Sequence, residues 1–254
     1  MSGNDKKEKR PPIDPEIKRA IRKEAFYGCA FCGNPIIEYH HIIPYHVVLC
    51  HEEHNLIALC PNHHNKADRS MIPKDRLIQL KENPYNKDKE NIKDDFFIGS
   101  YNNLQLRLGH STFIRTPNIL VVDGMPLISI RSDDDNNVIM NAKFYDKTNN
   151  LIAEIVENEW IAHLKKHKLW DIQYAGGILK INSSKKRISL QFQVQPEEGL
   201  VNIKGNIFYK KCFFNITPTK VEFGFDYDNP KNKYILKGFT AVDGLIGLNL
   251  ETGR

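Results

Sequence analysis

The sequence has no apolar run near the ~18 residues that a membrane-spanning helix needs, and its first ten residues, MSGNDKKEKR, contain no apolar stretch of the signal-peptide kind. The expectation is a cytoplasmic protein with no membrane partner. Excess charge is also scarce: 36 Lys and Arg stand against 31 Asp and Glu, a net +5. The excess is spread along the chain, so neither part is a strongly basic module, and any nucleic-acid grip must rest on local patches. Cysteine is sparse at five, and three of the five are placed like metal ligands, which fits a reducing compartment better than a disulfide framework. Disorder of the whole chain is excluded by a hydrophobic content of 41 %, enough for a real core in 254 residues.

What the chain does have is concentrated. Seven of its ten histidines lie between His40 and His64. Cys29-x2-Cys32 precedes them, Tyr39-His40-His41-Ile42-Ile43-Pro44 follows, and Asn55-Leu56 leads into Leu59-Cys60-Pro61-Asn62-His63-His64. Histidine and thiolate at such spacings are the ligand types of zinc and of catalytic divalent metals, and a packed core has no reason to collect them.

Local signals give this segment a shape. Asp14-Pro15-Glu16 reads as a helix start, with Ile17, Ala20, Ile21 and Ala25 on one face and Gly28 at the end. Ile36 to Ile43 has the β-branched content of a strand, and Leu56 to Leu59 reads as a second. Pro61 starts a helix with His63 and His64 in its first turn, and one more helix follows Pro73 and stops before Pro84.

In this order the motifs resemble the HNH endonucleases over roughly residues 14 to 70, about a quarter of the chain. The resemblance implies a ββα-metal fold and a metal-dependent DNA endonuclease that leaves 5′-phosphate and 3′-hydroxyl ends. His40 and His64 would hold one catalytic divalent ion (Mg2+ or Mn2+, with Zn2+ or Ni2+ as alternatives). His41 would be the general base, and Asn55 would brace the hairpin rather than take part in the chemistry. Neighbours on a strand face opposite ways, so His40 and His41 can serve separate roles. An ordinary turn asparagine is the alternative reading of Asn55.

A second, structural zinc is sensible for so small a core. Cys29, Cys32, Cys60 and His63 would close a Cys3His tetrahedron. The commoner family pattern has cysteine where His63 stands, which leaves Cys50, His51 and His54 as competitors for the fourth place. Cys50 otherwise reads as a buried apolar thiol, and His46, His51 and His54 as surface or hydrogen-bonded histidines. His110, His163 and His167 receive no role.

Two basic patches are candidate DNA contacts: Lys18, Arg19, Arg22 and Lys23 on the first helix, and Lys66, Arg69, Lys74 and Arg76 after the last motif histidine. A solvated helix face is the ordinary alternative for each.

From about Asp95 the texture changes to short strands at period two, such as Ile188, Leu190, Phe192 and Val194; Val138, Met140, Ala142 and Phe144; and Val221, Phe223 and Phe225. Asp123-Gly124, Asn149-Asn150 and Asp243-Gly244 mark turns between them. The fold class expected is α+β: a disordered basic tail over 1–13, the metal domain over 14–84, a linker over 85–95, and an all-β domain over 96–254. That domain would be a sandwich, meander or short solenoid. Glu157 to Lys168 is its one helical candidate. Asp133-Asp134-Asp135 reads as a solvated turn, because it lacks spaced calcium ligands. Trp160 and Trp170 read as core.

No catalytic set appears in the β part, which is expected to recognise DNA, bind a protein or ligand partner, or restrain the nuclease. The resemblance suggests a restriction or anti-phage defence setting. The rival reading is a non-catalytic zinc-binding module that grips nucleic acid or protein. An RNase is a lesser alternative.

Overall fold

In the computed structural model, residues 10–164, 169–185, 187–229, 231 and 233–253 are described. Most elements are strands, with a small helix-and-strand region at the N-terminal end.

Helix α1 spans Pro15–Glu24; the Asp14 side chain caps it by accepting from the Glu16 N–H at 2.7 Å, and Pro15 fills the first turn. Its Ile21 and Ala25 are buried against Leu56 and Ala58, with Ile13 and Ile17 packed alongside. Strand β1 (Glu38–His41) is shorter than the stretch its β-branched content suggests. A one-turn helix α2 (Tyr45–Val48) intervenes before β2 (Leu56–Leu59). Helices α3 (Pro61–Asp68) and α4 (Lys74–Glu82) follow, both opening at the expected prolines.

β1 and β2 pair antiparallel, with His40 opposite Ile57 and His41 opposite Leu56. Residues 1–9 of the expected disordered tail lie outside the described residues. Its remainder is seated on the domain, through Ile13 in the core above and Arg10 and Pro11 at the histidines below.

The rest of the chain forms β3 (Asn91–Asp95), β4 (Gln105–Leu108), β5 (Ser111–Ile114), β6 (Asn118–Val122), β7 (Met125–Ser132), β8 (Val138–Tyr145), β9 (Leu151–Val156) and β10 (Glu159–His163). Then come β11 (Asp171–Ala175), β12 (Ile178–Ser184), β13 (Arg187–Gln195), β14 (Leu200–Tyr209), β15 (Cys212–Ile216), β16 (Val221–Phe225), β17 (Lys233–Leu236), β18 (Thr240–Val242) and β19 (Ile246–Leu250). Consecutive strands pair antiparallel in two runs, β6 to β10 and β11 to β17. Followed from strand to strand, the pairings branch without returning to their start, and the sheet is large and open.

β14 is the branch point. Its first half lies between β13 and the parallel β4, and its second half pairs with β15 and bridges β8 at Phe208. Gly205 sits where the partners change, at φ +129, and a side chain there would collide with the Ser189 carbonyl.

Two expectations change here. The described part of the stretch Glu157 to Lys168 is not a helix: Glu157 and Asn158 make a positive-φ turn, and β10 pairs with β9 on one edge and β3 on the other. Asn158 fixes that turn by bonding the Met140 N–H and the Val138 carbonyl. Residues 165–168 lie outside the described residues. The stretch 85–95, expected as a linker, contributes β3 to the sheet.

The two regions are joined by specific contacts. Arg22 was expected on the DNA-facing basic patch, yet it is buried and makes a two-pronged ion pair with Asp171 on β11, at 2.9 and 2.5 Å. Its third nitrogen donates to the Tyr39 hydroxyl at 2.5 Å. The Arg19 guanidinium lies 3.7 Å over the Trp170 ring, and the Tyr27 hydroxyl donates to the Leu169 carbonyl at 3.1 Å.

Removing one partner of a buried ion pair strands the other charge. Asp171→Ala should therefore lower unfolding stability by about 3–5 kcal/mol in urea titrations. A loss under about 1 kcal/mol, the size of an exposed pair, would mean that water reaches the contact.

Candidate metal centre

Two groups of potential ligands share α3, one through His63 and the other through His64 and Asp68. The first is Cys29, Cys32, Cys60 and His63, whose ligand atoms all fall within 4.8 Å of one another. Cys32 Sγ is 3.8 Å from Cys60 Sγ, and His63 Nδ1 is 3.6 Å from Cys29 Sγ and 3.2 Å from Cys60 Sγ. Zinc bonds of about 2.3 Å to sulfur and 2.0–2.1 Å to nitrogen set tetrahedral edges of about 3.6–3.8 Å. The cluster fits, and it can hold a metal such as zinc.

Local structure explains the convergence. Gly33, at φ +79, turns the Cys29–Cys32 knuckle back so that its N–H bonds the Cys29 carbonyl at 2.8 Å. Cys60 stands just before α3, and His63 is in its first turn. The exposed ring of Phe31 stacks on His63 at 4.1 Å.

Of the competitors for the fourth place, Cys50 lies 3.7 Å from Glu52, and His54 pairs with Glu52 in solvent. His51 reaches His41. Cys50 is half-buried, not the buried apolar thiol expected.

The second group is His40, His64 and Asp68. The Asp68 carboxylate spans both rings, at 3.1 Å from His40 Nδ1 and 3.2 Å from His64 Nδ1. Glu38 lies 3.4 Å from His64 Nδ1. Two imidazoles and a carboxylate are a donor set that suits a hard or borderline divalent ion. Burial, and then the neighbouring His64, push the His40 pKa down, which favours the neutral ring that a metal requires.

Asp68 is a residue the sequence reading missed. It stands four positions after His64 on a helix and therefore on the same face. That spacing could have revealed it.

His41, the other strand neighbour, meets different company. Arg10 Nη2 is 2.9 Å from its Nδ1, and His51 Nδ1 is 3.1 Å from its Nε2. Burial, with the Arg10 charge next, lowers the His41 pKa to about 4. Asn55 is buried and holds the turn by two hydrogen bonds to Ile43: its carbonyl accepts from the Ile43 N–H at 2.7 Å, and its amide donates to the Ile43 oxygen at 2.9 Å. An open groove of about 550 Å³ is lined by His40, His41, His64 and Asp68 together with Arg10, Tyr45 and Lys74.

Lys23, Lys66 and Arg69 are exposed, and Lys18 lies 5.8 Å over the Tyr39 ring. Arg69 borders the shallow groove beside His64 and Asp68. Arg22, being buried, does not belong to this surface.

No helix among the described residues is long and apolar enough to cross a membrane. No family model, curated protein or solved structure matches the chain.

Two predictions come from this geometry. Elemental analysis should find about one zinc per chain, lost in Cys60→Ser together with helix content. Burial pushes the metal-free Cys29 thiol up to about 12 and raises Cys32 as well, so zinc must displace protons to bind. Zinc affinity should thus fall as pH falls; a pH-independent affinity, or a zinc-free protein that melts like wild type, would contradict the assignment. Asn55→Ala should cost about 1 kcal/mol by removing both hydrogen bonds to the part-buried Ile43 backbone. An unchanged melting curve would show that water replaces the amide.

Proposed function

We propose that the chain is a metal-dependent endonuclease of the HNH kind, hydrolysing phosphodiester bonds in DNA. The observation that carries the reading is the division of labour across one strand. His40 converges with His64 and Asp68 on one side, while His41 stands apart with both ring nitrogens in hydrogen bonds. A zinc module alone needs none of these four groups.

His40, His64 and Asp68 would hold the catalytic ion. Such an ion supplies positive charge where the scissile phosphate and the leaving 3′ oxygen become more negative. His41 takes a proton from the attacking water. Its lowered pKa keeps the ring neutral, the form that can accept a proton, although a pKa near 4 also makes it a weak base until its surroundings change. Asn55 holds the turn that fixes His40 and His41 relative to α3. Arg69, which borders the shallow groove beside His64 and Asp68, and the lysines Lys18, Lys23 and Lys66 are candidate phosphate contacts, and the strand-rich region serves recognition or control.

The test is plasmid cleavage with magnesium or manganese. His41→Ala should cut about 100- to 10,000-fold more slowly while still folding. Absence of wild-type cleavage with any metal and any DNA form, or a mutant that cuts equally well, would overturn the reading. DNA binding without cleavage would favour the non-catalytic zinc module, and preferential cleavage of RNA would move the substrate class.

A further inference from the structure

β1 and α3 each bring two ligand-type side chains to one place. Glu38 and His40 stand two apart on a strand and leave the same face of it. His64 and Asp68 stand four apart on α3 and share a helix face. The Asp68 carboxylate is 3.1 Å from His40 Nδ1 and 3.2 Å from His64 Nδ1, and the Glu38 carboxylate is 3.4 Å from that same His64 nitrogen. One ring nitrogen therefore faces carboxylates from two different elements.

Metal bonds of about 2.0–2.2 Å to nitrogen and oxygen put neighbouring ligand atoms about 2.8–3.6 Å apart, from octahedral to tetrahedral geometry. All three spacings fall in that range. A ring nitrogen carries at most one hydrogen, so one linear hydrogen bond accounts for only one of the two carboxylates on His64. A shared cation accounts for both. Among the described residues, neither Glu38 nor Asp68 has a lysine or arginine within ion-pair distance.

Glu38 approaches from its own side. It lines the shallow groove with His64, Asp68 and Arg69, whereas His40 lines the deeper one with His64 and Asp68. His40, His64 and Asp68 lie within 4.8 Å of one another without it, and its half-exposed carboxylate meets them at His64.

We infer that Glu38 is a fourth ligand of the second metal group and sets which metal that group prefers. The inference rests on the proposal that His40, His64 and Asp68 hold an ion. A second carboxylate favours oxygen-seeking ions such as manganese and magnesium, while three thiolates favour zinc. The two groups joined by α3 would thus sort two metals by ligand chemistry, with Glu38 keeping zinc and nickel from dominating the second.

The test uses full-length, zinc-loaded protein, with zinc and helix content confirming that each variant folds. Glu38→Ala and Glu38→Gln should both weaken manganese binding at least about 10-fold, because each removes a charged oxygen ligand. Nickel, which imidazole suits, should lose less than about threefold. Water-proton relaxation by the bound manganese counts the waters on the ion, and Glu38→Ala should add about one where the carboxylate leaves.

A carboxylate that only orients His64 would behave differently: Glu38→Gln, which keeps a hydrogen-bond acceptor, would restore affinity, and the water count would not change. That result, or equal manganese affinity in wild type and Glu38→Ala, or equal losses for manganese and nickel, would overturn the inference. A wild type that binds no manganese beyond its zinc would overturn the second metal group and this inference together. A wild type that binds manganese and cuts no DNA would end the endonuclease reading alone, and the titrations would still decide the role of Glu38.

Discussion

The pairing of β1 with β2 is the constraint on which the candidate site depends. Successive side chains of a strand leave on opposite faces, so fixing the register of Glu38–His41 against Leu56–Leu59 fixes where two adjacent histidines go. His40 turns to α3 and meets His64 and Asp68; His41 turns to Arg10, Tyr45 and His51. A slip of one residue would exchange the two. Asn55 guards against this at the turn, where its amide closes a two-bond ring on Ile43. The buried run Leu56 to Leu59 pins the other strand between α1 and the Cys3His cluster.

So small a hairpin and four short helices bury little apolar surface, and two devices outside the hairpin compensate. One is the Cys3His cluster, which ties the Cys29–Cys32 knuckle to the start of α3 and so fixes the helix that carries His64. The other is the strand-rich region. Asp171 neutralises Arg22, which also donates to Tyr39, the residue before His40. The β region is therefore mechanically continuous with the candidate site through α1, and its Tyr27 contact lies in the main apolar core. A fragment ending near Asn83 would leave Arg22 without its counter-ion, which complicates any experiment that treats the N-terminal part as free-standing.

What the sequence made legible was local. The caps of α1, the prolines opening α3 and α4, and the ligand chemistry of Cys29, Cys32, Cys60 and His63 all act within a few residues, and the structure brings those four together as expected. The alternation of Val138, Met140, Ala142 and Phe144 was equally readable. Long-range partners were hidden. Arg22 looks like any basic helix residue until Asp171 is placed beside it, and Arg10 looks like part of a charged tail until it is found on His41. Within the helical candidate Glu157 to Lys168, the segment Glu159–His163 is a strand held by β3 and β9, because a strand's stability is decided by its neighbours. In β16, Phe223 and Phe225 are only half-buried beside fully buried Val221.

The central proposal is that α3 joins a zinc-type cluster of Cys29, Cys32, Cys60 and His63 to a separate group, His40, His64 and Asp68, that would hold a second metal. Manganese binding to zinc-loaded protein, followed by isothermal titration with zinc content measured in parallel, addresses it directly. The account predicts about one manganese per chain in wild type, abolished in His64→Ala with the zinc retained. Manganese binding that survives His64→Ala, or loss of both metals together, would contradict it.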